Sequence, residues 1–446
     1  MDFCKRLLAV LLAVVLMAPA TALAAYQPTF DLQSQAAYLE NLDTGQVMVE
    51  KNADQRMFPG YLTKVMTALV VLDHMRDHNL DLDTESTALK LYIQDMVYGS
   101  RYLANIYNGD ELSIRDLLYA MMLQSANEAT LMLADYVGDG SLGRFVDLMN
   151  QKAKELGCTN TNFTDAVGFE DPDTYTTARD LSKITAAAMA YPEFQEIVSS
   201  TTRNIQVLNK TQRSITLFGT TNGLINRAGS YYLAAAKGGM SSSLAAGGRS
   251  MVSQAASGGY TYQAVVLGAP LDKPDGTPEP DPLHYIESRK LYLWAFENFS
   301  VRTVVDRGEL VSECPVRYSM NGDFVKVETG GKLTALMENN LELSSVQYQV
   351  ELPDWVAAPV ERGQQLGTLR LVLAEEELGT VPLLAAESLP ASRLLVTLGF
   401  LENLLHSYWA KVAVVLVVLL TLGYSWLLAQ ARRRKQKAKR RASYHL

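Results

Sequence analysis

Two apolar-rich runs, at 36–40 and 46–51, flank Asp43-Thr44-Gly45 and predict a β-hairpin. The apolar stretch at 62–72 then predicts a helix over 61–78, with Pro59 stiffening its entry and Gly60 allowing close backbone approach. Residues 81–108 read as mixed strand and loop. Helical spacing returns at 113–124, where Ser113 is a candidate cap with Asp116 three residues on. Further helices are predicted at 128–137, 142–156 and 177–190, the first two stopped by Gly138 and Gly157. From 198 the pattern changes to short strands at 204–208, 233–237, 249–255 and 263–267, and a helix at 285–299 closes the series. Helices in the middle with strands at both ends predict one sheet built from the two ends, with helices packed on it. A second pattern begins near 301. Strands at 325–327, 347–351, 367–373 and 378–384, with turns such as Asn321-Gly322, predict a small all-β domain.

Both ends of the chain differ from this middle. Lys5 and Arg6 precede an apolar run at 7–17 and then Ala22-Leu23-Ala24, the pattern of a secretory signal cleaved near Ala25. Residues 412–429 are uncharged and apolar, with Tyr408, Trp409, Tyr424 and Trp426 placed like interfacial aromatics. A basic block at 432–441 follows and marks the cytoplasmic side. Residues 393–405 are apolar at near-helical spacing. They predict an amphipathic helix on the outer leaflet or an extension of the membrane helix. The expectation is an outside-facing body, a single span and a short inner tail.

The charge divides accordingly. The whole chain of 446 residues carries −8, and with the ends removed the body is near −18. That argues against nucleic acid or anionic lipid as partner of the body. Cys158 and Cys314 fall in different predicted domains, so free thiols are expected. No His/Cys cluster has metal-ligand spacing and no phosphate loop is present, so neither a metal nor a cofactor is expected.

Candidate chemistry lies in three short pieces: Tyr61-Leu62-Thr63-Lys64, Ser125-Ala126-Asn127 and Lys237-Gly238-Gly239. Each alone is weak. A lysine early on an apolar helix either snorkels to water or is a buried general base. Ser-x-Asn is common by chance, and Lys-Gly-Gly is usually a turn.

Their order and separations resemble the Ser-x-x-Lys, Ser-x-Asn and Lys-Thr-Gly motifs of penicillin-binding proteins. The chain is most similar to the serine-type D-Ala-D-Ala carboxypeptidases, the low-molecular-mass members. The surrounding text agrees, in Leu62-Thr63-Lys64-Val65-Met66-Thr67, Tyr175-Thr176-Thr177-Ala178-Arg179-Asp180-Leu181, Tyr191-Pro192-Glu193-Phe194 and Val266-Leu267-Gly268-Ala269-Pro270, and on into Val350-Glu351-Leu352-Pro353. The resemblance implies an α/β (α+β) penicillin-binding/β-lactamase-like transpeptidase domain, a small all-β domain and a C-terminal transmembrane helix. The boundaries expected are signal peptide 1–25, carboxypeptidase-like domain 26–299, β-rich domain 300–390, amphipathic linker 391–409, membrane helix 410–430 and basic tail 431–446.

The resemblance also implies roles. Lys64 takes the proton of a nucleophilic serine one turn earlier, and Ser125 relays a proton to the leaving amine. Asn127 holds the substrate amide, and Lys237 supplies positive potential for the terminal carboxylate. The strand beginning there pairs with the extended peptide. The backbone N–H groups of Tyr61 and Met240 form the oxyanion hole. The partners implied are peptidoglycan stem peptides ending in D-Ala-D-Ala, and β-lactams. The sequence departs from the family where it matters most. Tyr61 stands at the nucleophile position, Gly238 replaces the threonine of Lys-Thr-Gly, and the serine-rich segment 240–248 reads as a loop about two residues longer than the family's. Hydrolysis is therefore expected to be lost or impaired. The alternatives are a carboxypeptidase using another nucleophile such as Ser125, or a β-lactamase-like protein.

Overall fold

The computed structural model describes residues 28–373, 376–406 and 408–442. The signal-peptide reading at 1–25 lies outside them. The chain divides into two units, one reaching Val301 and taking in Leu336–Asn340, the other holding Arg302–Ala335 and Leu341 onward.

In chain order the first unit contains β1 (Ala36–Asn41), β2 (Val47–Lys51), α1 (Thr63–Asp77), β3 (Ser86–Ala88), α2 (Leu91–Met96), β4 (Glu111–Ser113), α3 (Ile114–Gln124), α4 (Asn127–Val137), α5 (Leu142–Glu155), α6 (Ala178–Met189) and α7 (Pro192–Ser199). It continues with β5 (Thr202–Gln206), β6 (Ser214–Phe218), β7 (Ala236–Leu244), β8 (Gly248–Ser257), β9 (Tyr260–Ala269) and α8 (Leu283–Asn298). One five-stranded antiparallel sheet runs β2-β1-β9-β8-β7, so the chain's early hairpin joins its late strands, as the pattern predicts. β1 is in register with β9 from Ala36 against Leu267 to Asn41 against Tyr262.

The sheet is buried on both faces. On β9, Val265 and Leu267 belong to the core beneath the helical layer, whereas Ala264 and Val266 belong to the core under α8. Period-two alternation between two apolar faces explains why these strands read as nearly continuous apolar runs. Ser113 and Thr177 cap α3 and α6 by accepting the backbone N–H of Asp116 and Asp180, at 3.2 and 3.0 Å.

Several segments differ from the sequence reading. Helices α2 and α7 and strand β6 stand where none was predicted. Residues 233–235 form a turn, and the strand expected there begins at Ala236 and continues through Leu244. The serine-rich segment is therefore not a long loop. Leu244 pairs with Gly248, leaving only residues 245–247 to turn the hairpin. Met240 and Ser242 alternate into the buried face of β7 and hold the segment extended.

In the second unit the strands Leu310–Arg317, Phe324–Thr329, Gln347–Glu351, Val356–Ala357, Gln365–Leu373 and Glu376–Ala385 form one six-stranded sheet, the small all-β domain expected. Helices Arg393–His406 and Tyr408–Ala442 follow, and within the latter Val414–Ala431 is long and apolar enough to cross a membrane. Leu394, Val396, Leu398 and Phe400 of the former are exposed. Cys158 and Cys314 are buried free thiols.

Candidate active site

The site forms where the chain enters α1. Gly60 takes φ +55°, and residues Gly60–Leu62 make a 3-10 turn, so Tyr61 precedes the α-helix proper. Gly168 is required here by close approach. It has φ +90°, and a Cβ on it would lie 1.9 Å from the carbonyl oxygen of Gly60. This seats the 165–169 turn against the helix entry, with Asp165 Oδ1 accepting the N–H groups of Val167 and Gly168 at 2.6 and 2.7 Å.

Lys64, in the first turn of α1, is fully buried. Its Nζ donates to the Ser125 carbonyl at 2.6 Å, to Ser125 Oγ at 2.8 Å and to Asn127 Oδ1 at 2.7 Å. Three acceptors satisfy the three donors of an ammonium. Burial pushes the Lys64 pKa well below the usual lysine range, while Glu128 and Asp165 pull it back up. Of the two readings of this lysine, the snorkelling one is excluded by its burial.

Ser125 ends α3 in the left-handed conformation, φ +55°, with its N–H donated to the Ala120 carbonyl. The reversal lets both its carbonyl and its hydroxyl meet Lys64. Asn127 begins α4, and its Nδ2 donates to Ser100 Oγ at 2.7 Å. Glu128 is buried beside it and accepts the Ala104 N–H at 2.6 Å. Burial raises its pKa despite that bond.

Tyr61 lies on the other side of Lys64. Its ring sits 4.4 Å from Nζ, a cation–π contact, and packs edge-on against Tyr102 with centroids 4.8 Å apart. Only 8% of Tyr61 is exposed. Burial, then Tyr102, raises its phenol pKa above 10, with a hydrogen bond to Asn127 opposing. The Tyr61 N–H, assigned by resemblance to an oxyanion hole, donates instead to Ser242 Oγ at 3.0 Å. The second N–H of that pairing belongs to Met240, whose side chain is buried in the helical core.

On the strand piece, Lys237 is exposed, and its side chain makes no hydrogen bond or ion pair among the described residues. Gly238 and Gly239 have φ +148° and +140°, beside a register shift between Ala236 and Gly238. A Cβ on Gly238 would lie 2.6 Å from Val198 Cγ2. The structure thus brings together Tyr61, Lys64, Ser125 and Asn127, and none of them is hydrogen-bonded to the Lys237 side chain.

A cleft of about 480 Å³ opens in front of Tyr61, walled by Tyr98, Arg101, Tyr102, Phe169 and the β7–β8 turn. Sequence reasoning missed Ser100, Arg101, Glu128, Asp165 and Ser242 as parts of the site. Ser242 was legible in principle, as the residue sharing a strand face with Met240. The others are placed by loops that carry no periodicity. Among the described residues no group of three or more His, Cys, Asp or Glu side chains is arranged to hold a metal ion.

Comparison with known proteins agrees with this geometry. Residues 21–271 match the D-alanyl-D-alanine carboxypeptidase family, and residues 299–391 match the C-terminal domain of penicillin-binding protein 5. The D-alanyl-D-alanine carboxypeptidase DacA of Haemophilus influenzae is 30% identical over 346 residues, covering 75% of this chain and 80% of that protein. DacC of Escherichia coli is 29% identical over 386 residues, covering 84% and 88%. Among solved structures, penicillin-binding protein 5 from Haemophilus influenzae shares the fold with a TM-score of 0.59 at 24% identity, covering 82% of this chain and 99% of that one. The chain belongs to the D-alanyl-D-alanine carboxypeptidase family.

Proposed function

We propose that this protein is a membrane-tethered member of the family that holds peptidoglycan stem peptides at the cell surface without serine-type hydrolysis. The observation that carries the reading is Tyr61. It stands one turn before a fully buried Lys64, with its ring over the ammonium and its own N–H donated to Ser242. A phenol there displaces the attacking oxygen by the length of the ring, and misplacement by about 1 Å already costs on the order of 10²-fold. Its raised pKa also keeps it protonated at neutral pH. The apolar stretch Val414–Ala431 supports the tether, with the body outside and the basic tail at the cytoplasmic face.

The test is covalent labelling by a fluorescent penicillin, on the native protein and on Tyr61→Ser side by side. We expect no label on the native protein and a detectable label on Tyr61→Ser, because Lys64, Ser125 and Asn127 are already assembled. A labelled native protein would overturn the reading. The adduct would then be sought on Ser125, whose Oγ lies 2.8 Å from Lys64 Nζ. Absence of label on both would mean that the loss extends beyond the nucleophile, to the strand side of the site.

A further inference from the structure

We infer that the cleft in front of Tyr61 takes stem peptides already trimmed of their terminal D-alanines, and holds their free carboxylate on Arg101. This deepens the stem-peptide reading above and rests on it.

The inner end of the cleft is closed. Tyr61 lines it, whereas Lys64, Ser125, Asn127 and Lys237 do not. The Tyr61 ring lies over the fully buried Lys64 and is wedged against Tyr102. A D-Ala-D-Ala terminus bound for chemistry would place its reacting carbonyl about 3–3.5 Å from an attacking oxygen within reach of Lys64. The aromatic ring fills that approach. A ligand in the cleft meets Tyr61, whose hydroxyl is engaged by Asn127, and none of the groups behind it.

The only charge on the cleft wall, among the described residues, is Arg101. It is exposed and makes no ion pair among them. Arg227 of the same unit is likewise exposed and unpaired among the described residues, but it does not line the cleft, and six other arginines of the unit are engaged. Arg76, Arg115, Arg144, Arg179, Arg203 and Arg213 each hold a carboxylate. A free guanidinium presents a planar fork of N–H donors that matches a carboxylate bidentately, in a way a lysine does not. Beside it stand Tyr98, 92% exposed, and the half-buried Phe169. These are flat surfaces on which peptide planes rest. At about 480 Å³ the cleft falls within the roughly 300–1,000 Å³ range of small-ligand sites. A cation on the outer wall and a blocked inner end select the same ligand, a short peptide whose chain stops at a carboxylate before the D-alanine positions.

The experiment titrates the full-length protein in detergent micelles with three synthetic probes. These are a stem tripeptide with a free C-terminal carboxylate, the same tripeptide as its C-terminal amide, and the pentapeptide ending in D-Ala-D-Ala. The tripeptide is expected to bind at least as tightly as the pentapeptide, with the amide weaker by about tenfold. Arg101→Gln should weaken the tripeptide by the same factor, and amidation should cause no further loss in that variant, the signature of two groups in one interaction. Arg101 is exposed, so an unchanged melting temperature of the variant is the control for folding. A pentapeptide bound about tenfold tighter than the tripeptide, or a tripeptide indifferent to Arg101→Gln, would overturn the inference and leave the stem-peptide reading standing. No binding of any probe would remove both.

Discussion

The Lys64 corner and strand β7 meet at Tyr61, and they have diverged from the family pattern to very different degrees. On the helical side Lys64, Ser125 and Asn127 all stand as the family motifs require. All three are buried, and Lys64 donates every proton it has. On the strand side Lys237 is exposed, Gly238 replaces a threonine, and Ser242 accepts the Tyr61 N–H. The difference has a physical cause. Polar groups buried together are mutually obligatory, since removing one leaves the others desolvated and unpaired. Lys237, exposed at the sheet edge, carries no such obligation. A motif can therefore persist because the core requires it, and its presence alone does not demonstrate chemistry.

Three variants test this contrast. Lys64→Ala should have the largest effect, a loss of about 3–5 kcal/mol in urea unfolding, because it opens a cavity and strands the Ser125 and Asn127 acceptors. A loss below about 1 kcal/mol would show that the corner is not retained for stability. Gly238→Thr, which rebuilds the family triplet, should cost about 2–3 kcal/mol, from its left-handed backbone and the clash with Val198. A neutral result would mean that the edge is free to recover the motif. Ser242→Ala should cost the least, about 1–2 kcal/mol, by leaving the buried Tyr61 N–H without its acceptor. If Tyr61→Ser labels with penicillin, adding Ser242→Ala should strengthen the label, because it frees that N–H for the acyl oxygen.

Much of the fold was legible before the structure. The cap at Ser113, the stops at Gly138 and Gly157, and the early hairpin all appear where local chemistry puts them. The β7–β8 hairpin was misread, because glycine and serine signal turns locally. Its extended form depends on pairing with β8 and on Met240 entering the core. Of the site, Tyr61, Lys64, Ser125 and Asn127 were visible as spaced motifs. Arg101 and Ser242 were not, since their positions follow from how loops and strands from distant parts of the chain converge.

The sequence by itself determined the family, the order of the elements, the apolar C-terminal stretch and the tyrosine before the lysine. These follow from local residue chemistry and from motif spacing along one chain. Only the tertiary structure decided that Lys64 is saturated by three acceptors, that the Tyr61 N–H is taken by a serine 181 residues away, and that the Lys237 side chain is not hydrogen-bonded to the cluster. Burial, hydrogen-bond satisfaction and access to a cleft are properties of residues distant in sequence and adjacent in space, and no local pattern encodes them.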